Sequence, residues 1–398
     1  MPVQLYVTAC RAVMAVVITL VNLPSLAGET PRFKLSDCQA GSGAEDNCRH
    51  HVEVAEAFRD YALMAADTYR AMDRITWHRI HSRDASRGNG TDCEKVLKDS
   101  NGPEAEQNWC KDAMARFGDR IYVAEKTTAE LDYAADCPEH DSTDKTKPNR
   151  KGVAIPITIP GWTRLYELDR MPTPIGFYVF VPGLFVEVWV RDQLGQASEY
   201  ALVFRGTQGG GGWWSNLRFL TSLLPGVHDQ YSQAARLYPR LIDQINLREE
   251  IAGRPVNERR ITLVGHSLGA GLAMFVAMKN RGVNRIIGFN PTPISGYFAI
   301  SHQKRSERLA ALEQVDFIYE NSEILHQINS CTDGERFDPN LPAPIRCHEI
   351  NLAGGNIIVQ HEIGPMACRL AVLGRDATRL RAALKPPAPT QQVASEAH

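Results

Sequence analysis

Apolar residues recur along this chain at two spacings, and the changes from one to the other lay out its elements. Between residues 51 and 72, Val54, Phe58, Tyr61, Ala62, Ala65, Tyr69 and Met72 recur at three and four, predicting one amphipathic helix that faces a core. Aromatic and β-branched runs punctuated by Pro and Gly predict strands at 177–181, 184–190 and 200–204. Helical spacing returns over 231–245 through Ala234, Leu237, Leu241 and Ile245. Ile261, Leu263 and Val264 then read as a buried strand. Ala270, Leu272, Ala273, Phe275, Val276 and Met278 follow as a helix that ends near Asn280 and Gly282. Short strands are expected at 286–289, 317–319 and 357–359, and helices at 366–373 and 377–384. Strands that alternate with helices predict an α/β fold with a doubly wound, mainly parallel sheet. Residues 28–48 are polar and Gly-rich and read as extended. Residues 80–150 are polar, with short helices expected at 113–120 and 126–135, and read as an N-terminal insertion pinned by disulfides. The Pro-rich stretch 385–389 leads into a tail, 386–398, expected to be disordered.

The strand and helix either side of residue 267 are joined by Gly265-His266-Ser267-Leu268-Gly269. Strand, G-x-S-x-G, helix is the sequence form of a nucleophile elbow. A serine presented this way sits on a strained turn with its hydroxyl exposed, and glycines on each side let strand and helix pass closely. The Leu268 amide opens the helix and can donate to an oxyanion. The plainer alternative is a glycine-rich turn with an idle serine.

A serine nucleophile needs a base, and the base an orienting acid. In α/β-hydrolases the chain order is Ser, acid, His. His361 follows the strand expected at 357–359 and precedes a helix, so it is preferred to His348, which reads as part of a loop beside Cys347. His326 lies too near the acid candidates and His398 lies in the tail. For the acid, Glu323 is placed first and Glu320 second, both just after the strand expected at 317–319. Thr207, at the end of Phe204-Arg205-Gly206-Thr207, is expected to supply the second oxyanion donor. No metal or organic cofactor is required by this chemistry.

Charge and cysteines set the context. Lys and Arg number 44 against 46 Asp and Glu, with no basic stripe, so a nucleic-acid partner is not expected. Residues 12–23 are mostly apolar, and Ser25-Leu26-Ala27 offers a cleavage point, so 1–27 read as a signal peptide and 28–385 as the enzyme domain. After cleavage no further membrane span is expected, and the mature protein would be secreted or periplasmic. Cleavage removes Cys10 and leaves eight cysteines, an even set that suits disulfides, with Cys331–Cys347 the favoured pair. No C-x-x-C pair occurs, so a zinc site is not expected.

FRGT at 204–207, a tryptophan-bearing loop, VHDQYSQAA at 227–235, GHSLGA at 265–270, FNPTP at 289–293, NSE at 321–323 and His361 together resemble the class 3 lipase family. ALMAADTYR at 62–70 adds to the likeness, which covers about 150–385 and the helix at 51–72. The resemblance implies an α/β-hydrolase fold, a serine triad with Ser267 and His361, oxyanion donors at Thr207 and Leu268, and carboxylester substrates. Two departures stand out: Glu323 occupies the position of the family's Asp, and FNPTP replaces Phe-Gly-Ser-Pro. The expectation is an exported carboxylester hydrolase acting on acyl lipids at a lipid–water interface. A phospholipase of the same fold and a catalytically idle binding module are the alternatives. The apolar segment 208–225, with Trp213, Trp214, Leu220 and Leu223, is expected to form a lid or acyl-chain wall, or else to complete the core.

Overall fold

In the computed structural model of the chain, the residues described are 33–81, 90–92, 120–124, 159–169, 173–175, 179–181, 184–192, 196, 198–206, 230–292, 300–321, 345–352 and 360–384. The alternating apolar runs form strands. Their order in one nine-stranded sheet is β1 (Gly90–Asp92), β2 (Arg120–Ala124), β3 (Thr163–Asp169), β6 (Phe185–Arg191), β7 (Glu199–Phe204), β8 (Arg260–His266), β9 (Arg285–Phe289), β10 (Gln314–Glu320) and β11 (Ile345–Ile350). A separate antiparallel pair, β4 (Thr173–Ile175) and β5 (Val179–Val181), lies between β3 and β6 in sequence.

Strands β7 to β11 run parallel, and β1, β2, β3 and β6 extend the sheet antiparallel on one side. Strand order follows chain order without a reversal. Both faces are nevertheless covered, because side chains alternate across each strand. Tyr200, Leu202 and Phe204 of β7, with Ile261 and Leu263 of β8, pack with α2 (Gln230–Ile251), α3 (Leu268–Lys279) and α4 (His302–Ala310). Ala201, Val203, Val264, Ile287 and Phe289 face the other way, onto α1 (Glu45–His81) and α5 (Ile363–Ala383). The first and last long helices of the chain therefore share the second face.

Several boundaries differ from the sequence reading. Helix α1 begins at Glu45, and a short 3-10 turn occupies Leu35–Cys38, so the described part of the stretch expected to be extended, residues 33–48, is not simply extended. The Cys38–Cys48 disulfide ties that turn to the first turn of α1, with Cα atoms 5.1 Å apart. Local cross-linking overrides the coil-like composition. The two helices expected at 366–373 and 377–384 are one, Ile363–Ala383, because Arg375 and Asp376 stay on the helical path. Residues 80–150 contribute β1 and β2 to the main sheet, so part of the expected insertion is sheet. The helix expected at 113–120 lies outside the described residues except for Arg120, and that at 126–135 lies wholly outside. Cys93, Cys110, Cys137 and Cys331 also lie outside them, as do the strand expected at 357–359 and the segment 208–225. Cys347 and Cys368 are disulfide-bonded. Among the described residues, no helix is long and apolar enough to cross a membrane.

The seam between α1 and β11 holds a buried histidine. His51 stacks on Phe33 at 4.5 Å, donates from Nδ1 to the Asn47 carbonyl (2.8 Å) and accepts the Asn351 amide at Nε2 (3.1 Å). Burial, seconded by neighbouring His50, lowers its pKa below 6.5. A depressed histidine pKa means that the unfolded chain binds more protons below 6.5 than the folded one does. Stability is thus complete above that pH and falls as pH drops below it. Thermal melts should show Tm declining as pH falls through 6.5, with a shallower decline in His51→Gln. A Tm that stays level in the wild type through this window refutes the assignment.

Candidate active site

The parallel run β7–β8–β9–β10 brings four strand ends together, and the turn after β8 lies at their centre. Ser267 stands between β8 and α3 with φ 55° and ψ −125°, a left-handed backbone that a serine rarely adopts. Such a conformation costs about 1–3 kcal/mol and persists only where its surroundings fix it. Here the Ser267 amide donates to the Phe289 carbonyl (2.9 Å), and its own carbonyl accepts from Ala270 (3.0 Å) and Thr292 (3.3 Å). The flanking glycines are required by space. A Cβ on Gly269 would lie 2.0 Å from the Phe204 carbonyl oxygen, and one on Gly265 would lie 2.2 Å from the Gly269 backbone.

His361, two residues before α5, reaches this turn with Nε2 3.0 Å from Ser267 Oγ. The hydroxyl donates to the ring when Nε2 is unprotonated. The Leu268 amide is the first of the 12-residue helix α3, where the helix dipole favours negative charge. Thr207 lies outside the described residues; the backbone leading to it, Arg205 and Gly206, runs directly beneath the elbow. Glu323 also lies outside them. Glu320, at the end of β10, is fully buried and its carboxylate accepts the Leu352 amide at 3.0 and 3.3 Å.

His348 is placed differently from the sequence reading. It lies in β11, not in a loop, and its Nε2 pairs with Asp316 Oδ1 at 3.0 Å while its ring packs on Phe58. The segment has few apolar residues and so lacks a strand pattern in sequence, but one neighbouring strand, β10, is enough to hold it by backbone pairing.

Three residues around the turn escaped the sequence reading. His266 is only the variable residue of the G-x-S-x-G pattern, yet its Nε2 lies 2.7 Å from the His361 carbonyl. In sequence Tyr69 is one residue of an apolar stripe, yet its hydroxyl lies 2.8 Å from His266 Nδ1. Asn290, in the FNPTP stretch, adopts φ 41° and spans two elements: its Nδ2 donates to the Gln360 carbonyl (2.9 Å), and its Oδ1 accepts the Glu320 amide (3.0 Å). A polar residue immediately after a buried strand was the available signal. Among the described residues, no three His, Cys, Asp or Glu side chains are grouped to hold a metal ion.

Helices cover both faces of a mixed α/β sheet whose parallel half carries a strained serine at a strand-to-helix turn, with a histidine on its hydroxyl. Solved structures similar to the chain include an esterase from the hyperthermophilic archaeon Pyrobaculum calidifontis, 12% identical with TM-score 0.27, over 50% of this chain and 80% of that one. An acetyl xylan esterase from Paenibacillus sp. R4 is 12% identical with TM-score 0.26, over 48% and 78%. Acetyl xylan esterase 1 from Thermoanaerobacterium is 10% identical with TM-score 0.24, over 65% and 91%. Superpositions this loose add nothing about the site. No protein-family model matches the chain, so the class 3 lipase resemblance rests on its motifs, and no curated protein matches it in sequence.

Proposed function

We propose that the chain is a serine carboxylester hydrolase. The observation that carries this reading is the 3.0 Å contact between His361 Nε2 and the hydroxyl of Ser267, held on a backbone at φ 55°. Ser267 Oγ attacks the ester carbonyl as its proton passes to His361 Nε2, and the carbonyl electrons become an oxyanion. The Leu268 and Thr207 amides receive that oxyanion. Collapse expels the alcohol, which takes the proton from His361 and leaves an acyl-enzyme. Water, deprotonated by the same ring, attacks the acyl carbon and releases the acid.

Acyl lipids are the proposed substrates, supported by the motif resemblance and by the apolar residues 213–224 that follow Thr207 in sequence. An exported enzyme is consistent with the Cys38–Cys48 bridge and the apolar leader. A fluorophosphonate probe tests the reading: it should label Ser267, located by mass spectrometry, and a panel of short-chain esters, glycerides and phospholipids should rank the substrates. An unlabelled Ser267 in a folded protein defeats the proposal and favours a binding module.

Glu323, in the NSE stretch at the position of the family's acid, is the proposed orienting acid, and Glu320, whose carboxylate accepts the Leu352 amide, is the second candidate. Glu323→Gln should reduce kcat, by a factor roughly 10² smaller than removal of the serine does, because the acid is the mildest of the triad lesions. Glu320→Gln should instead lower stability more than turnover. If Glu320→Gln costs the larger share of kcat with Tm unchanged, the two roles are reversed.

A further inference from the structure

We infer that His266 and Tyr69 are positioning residues that lock the base and the oxyanion segment onto the elbow; the inference rests on the serine-hydrolase reading above. His266 directly precedes Ser267 and is 4% exposed. Its Nε2 lies 2.7 Å from the His361 carbonyl oxygen. A carbonyl only accepts, so Nε2 carries the hydrogen. Burial holds the His266 pKa well below 6.5, and the nearby His361 ring pushes it the same way. The ring is therefore neutral and its Nδ1 bare, so the Tyr69 hydroxyl, 2.8 Å away, donates to it. The Tyr69 side chain is partly buried, and burial raises the pKa of its phenol, so it keeps its proton.

The Tyr69 hydroxyl also lies against Gly206, the residue before Thr207. The result is one directed chain: Tyr69 O–H to His266 Nδ1, then His266 Nε2–H to the His361 carbonyl. One end holds the base segment by a hydrogen bond, and the other packs against the segment that leads to Thr207. No side chain larger than hydrogen fits at Gly206, since a Cβ there would lie 2.4 Å from Tyr69 Oη and 2.6 Å from the His266 carbonyl oxygen. Asn290 Nδ2 adds a longer contact to the same His361 carbonyl at 3.4 Å.

The chain also separates the two histidines chemically. Their ring centroids are 5.1 Å apart. When His361 takes the serine proton, its charge disfavours a second proton on His266 still further. His266 therefore stays neutral and keeps donating to the His361 carbonyl throughout turnover, and the proton remains on the ring that faces the substrate.

The test uses the full chain and three variants, His266→Leu, His266→Gln and Tyr69→Phe. In His266→Leu, kcat on a short-chain p-nitrophenyl ester should fall roughly 10²-fold with KM little changed, the scale of a small displacement of a reacting group. His266→Gln should recover most of that kcat, because the amide nitrogen of Gln can replace ring Nε2 as donor. Tyr69→Phe should lose roughly tenfold, since His266 keeps its bond to His361 but loses the partner that fixes its tautomer. Equal losses in the Leu and Gln variants, or losses that track Tm across all three, make the histidine merely structural and overturn the inference. If His266→Leu does not fold, the Gln and Phe variants decide between the same outcomes. Failure of the enzymatic reading is distinguishable, because wild-type Ser267 would then resist fluorophosphonate. In that event, ring NMR of His361 reads the positioning directly: a single set of signals in the wild type and multiple or broadened sets in Tyr69→Phe support it, and identical spectra refute it.

Discussion

Ser267→Ala is expected to lower turnover of every ester substrate by about 10⁴-fold or more, with Tm essentially unchanged. The nucleophile is lost, and the base beside it has nothing to deprotonate. Removing a hydroxyl from a residue at 9% exposure leaves a gap smaller than a methyl group, and the backbone bonds that fix the turn come from the Ser267 amide and carbonyl, not from its side chain. His361→Ala should match this loss, since members of such a pair act as a unit. His348→Ala is the contrasting variant. Its ring serves Asp316, so it should retain most of the turnover while losing some stability. Substantial activity remaining in Ser267→Ala would place the nucleophile elsewhere, and a greater loss in His348→Ala than in His361→Ala would reassign the base.

Gly269→Ala should be the most damaging conservative change to the fold. Its new methyl group would lie 2.0 Å from the Phe204 carbonyl oxygen and 2.9 Å from the carbon of the same group. Both atoms belong to a central strand, so neither can swing aside as a side chain would. Relief requires moving α3 away from β7, which opens the core around Leu268, Leu272 and Phe204. A destabilisation of at least about 3 kcal/mol is expected, the upper end of the overpacking range. Gly364→Ala provides the control. That glycine lies in the first turn of α5 with nothing within 4 Å of its added Cβ, so the change should be neutral or stabilising by a few tenths of a kcal/mol. Urea unfolding of both variants decides the matter. If Gly269→Ala melts with the wild type, the close approach of α3 to β7 is wrong.

The elbow was legible because it is written in contiguous residues. Two glycines, a serine and a switch from strand to helical spacing lie within 260–279, and each constrains its immediate neighbours. His361 was legible for a weaker reason, its place between a strand pattern and a helix pattern. That placement favours His361 over His348 in sequence, whereas the structure separates the two rings by their partners: Ser267 Oγ for one and Asp316 for the other. Strand β11 was not legible. Ile345–Ile350 reads IRCHEI, with only its last residue buried, and its strand form comes from the backbone of β10.

Periodicity and local turn chemistry by themselves therefore determined the α/β class and the elbow, since these depend on neighbours in sequence. The tertiary structure alone decided what His266, Tyr69 and Asn290 do. Tyr69 is 197 residues from His266, and His266 is 95 from His361. Hydrogen bonds over such separations depend on which faces of α1, β8 and the start of α5 meet. In sequence, a tyrosine on an apolar stripe looks the same whether its hydroxyl ends in water or on a buried imidazole.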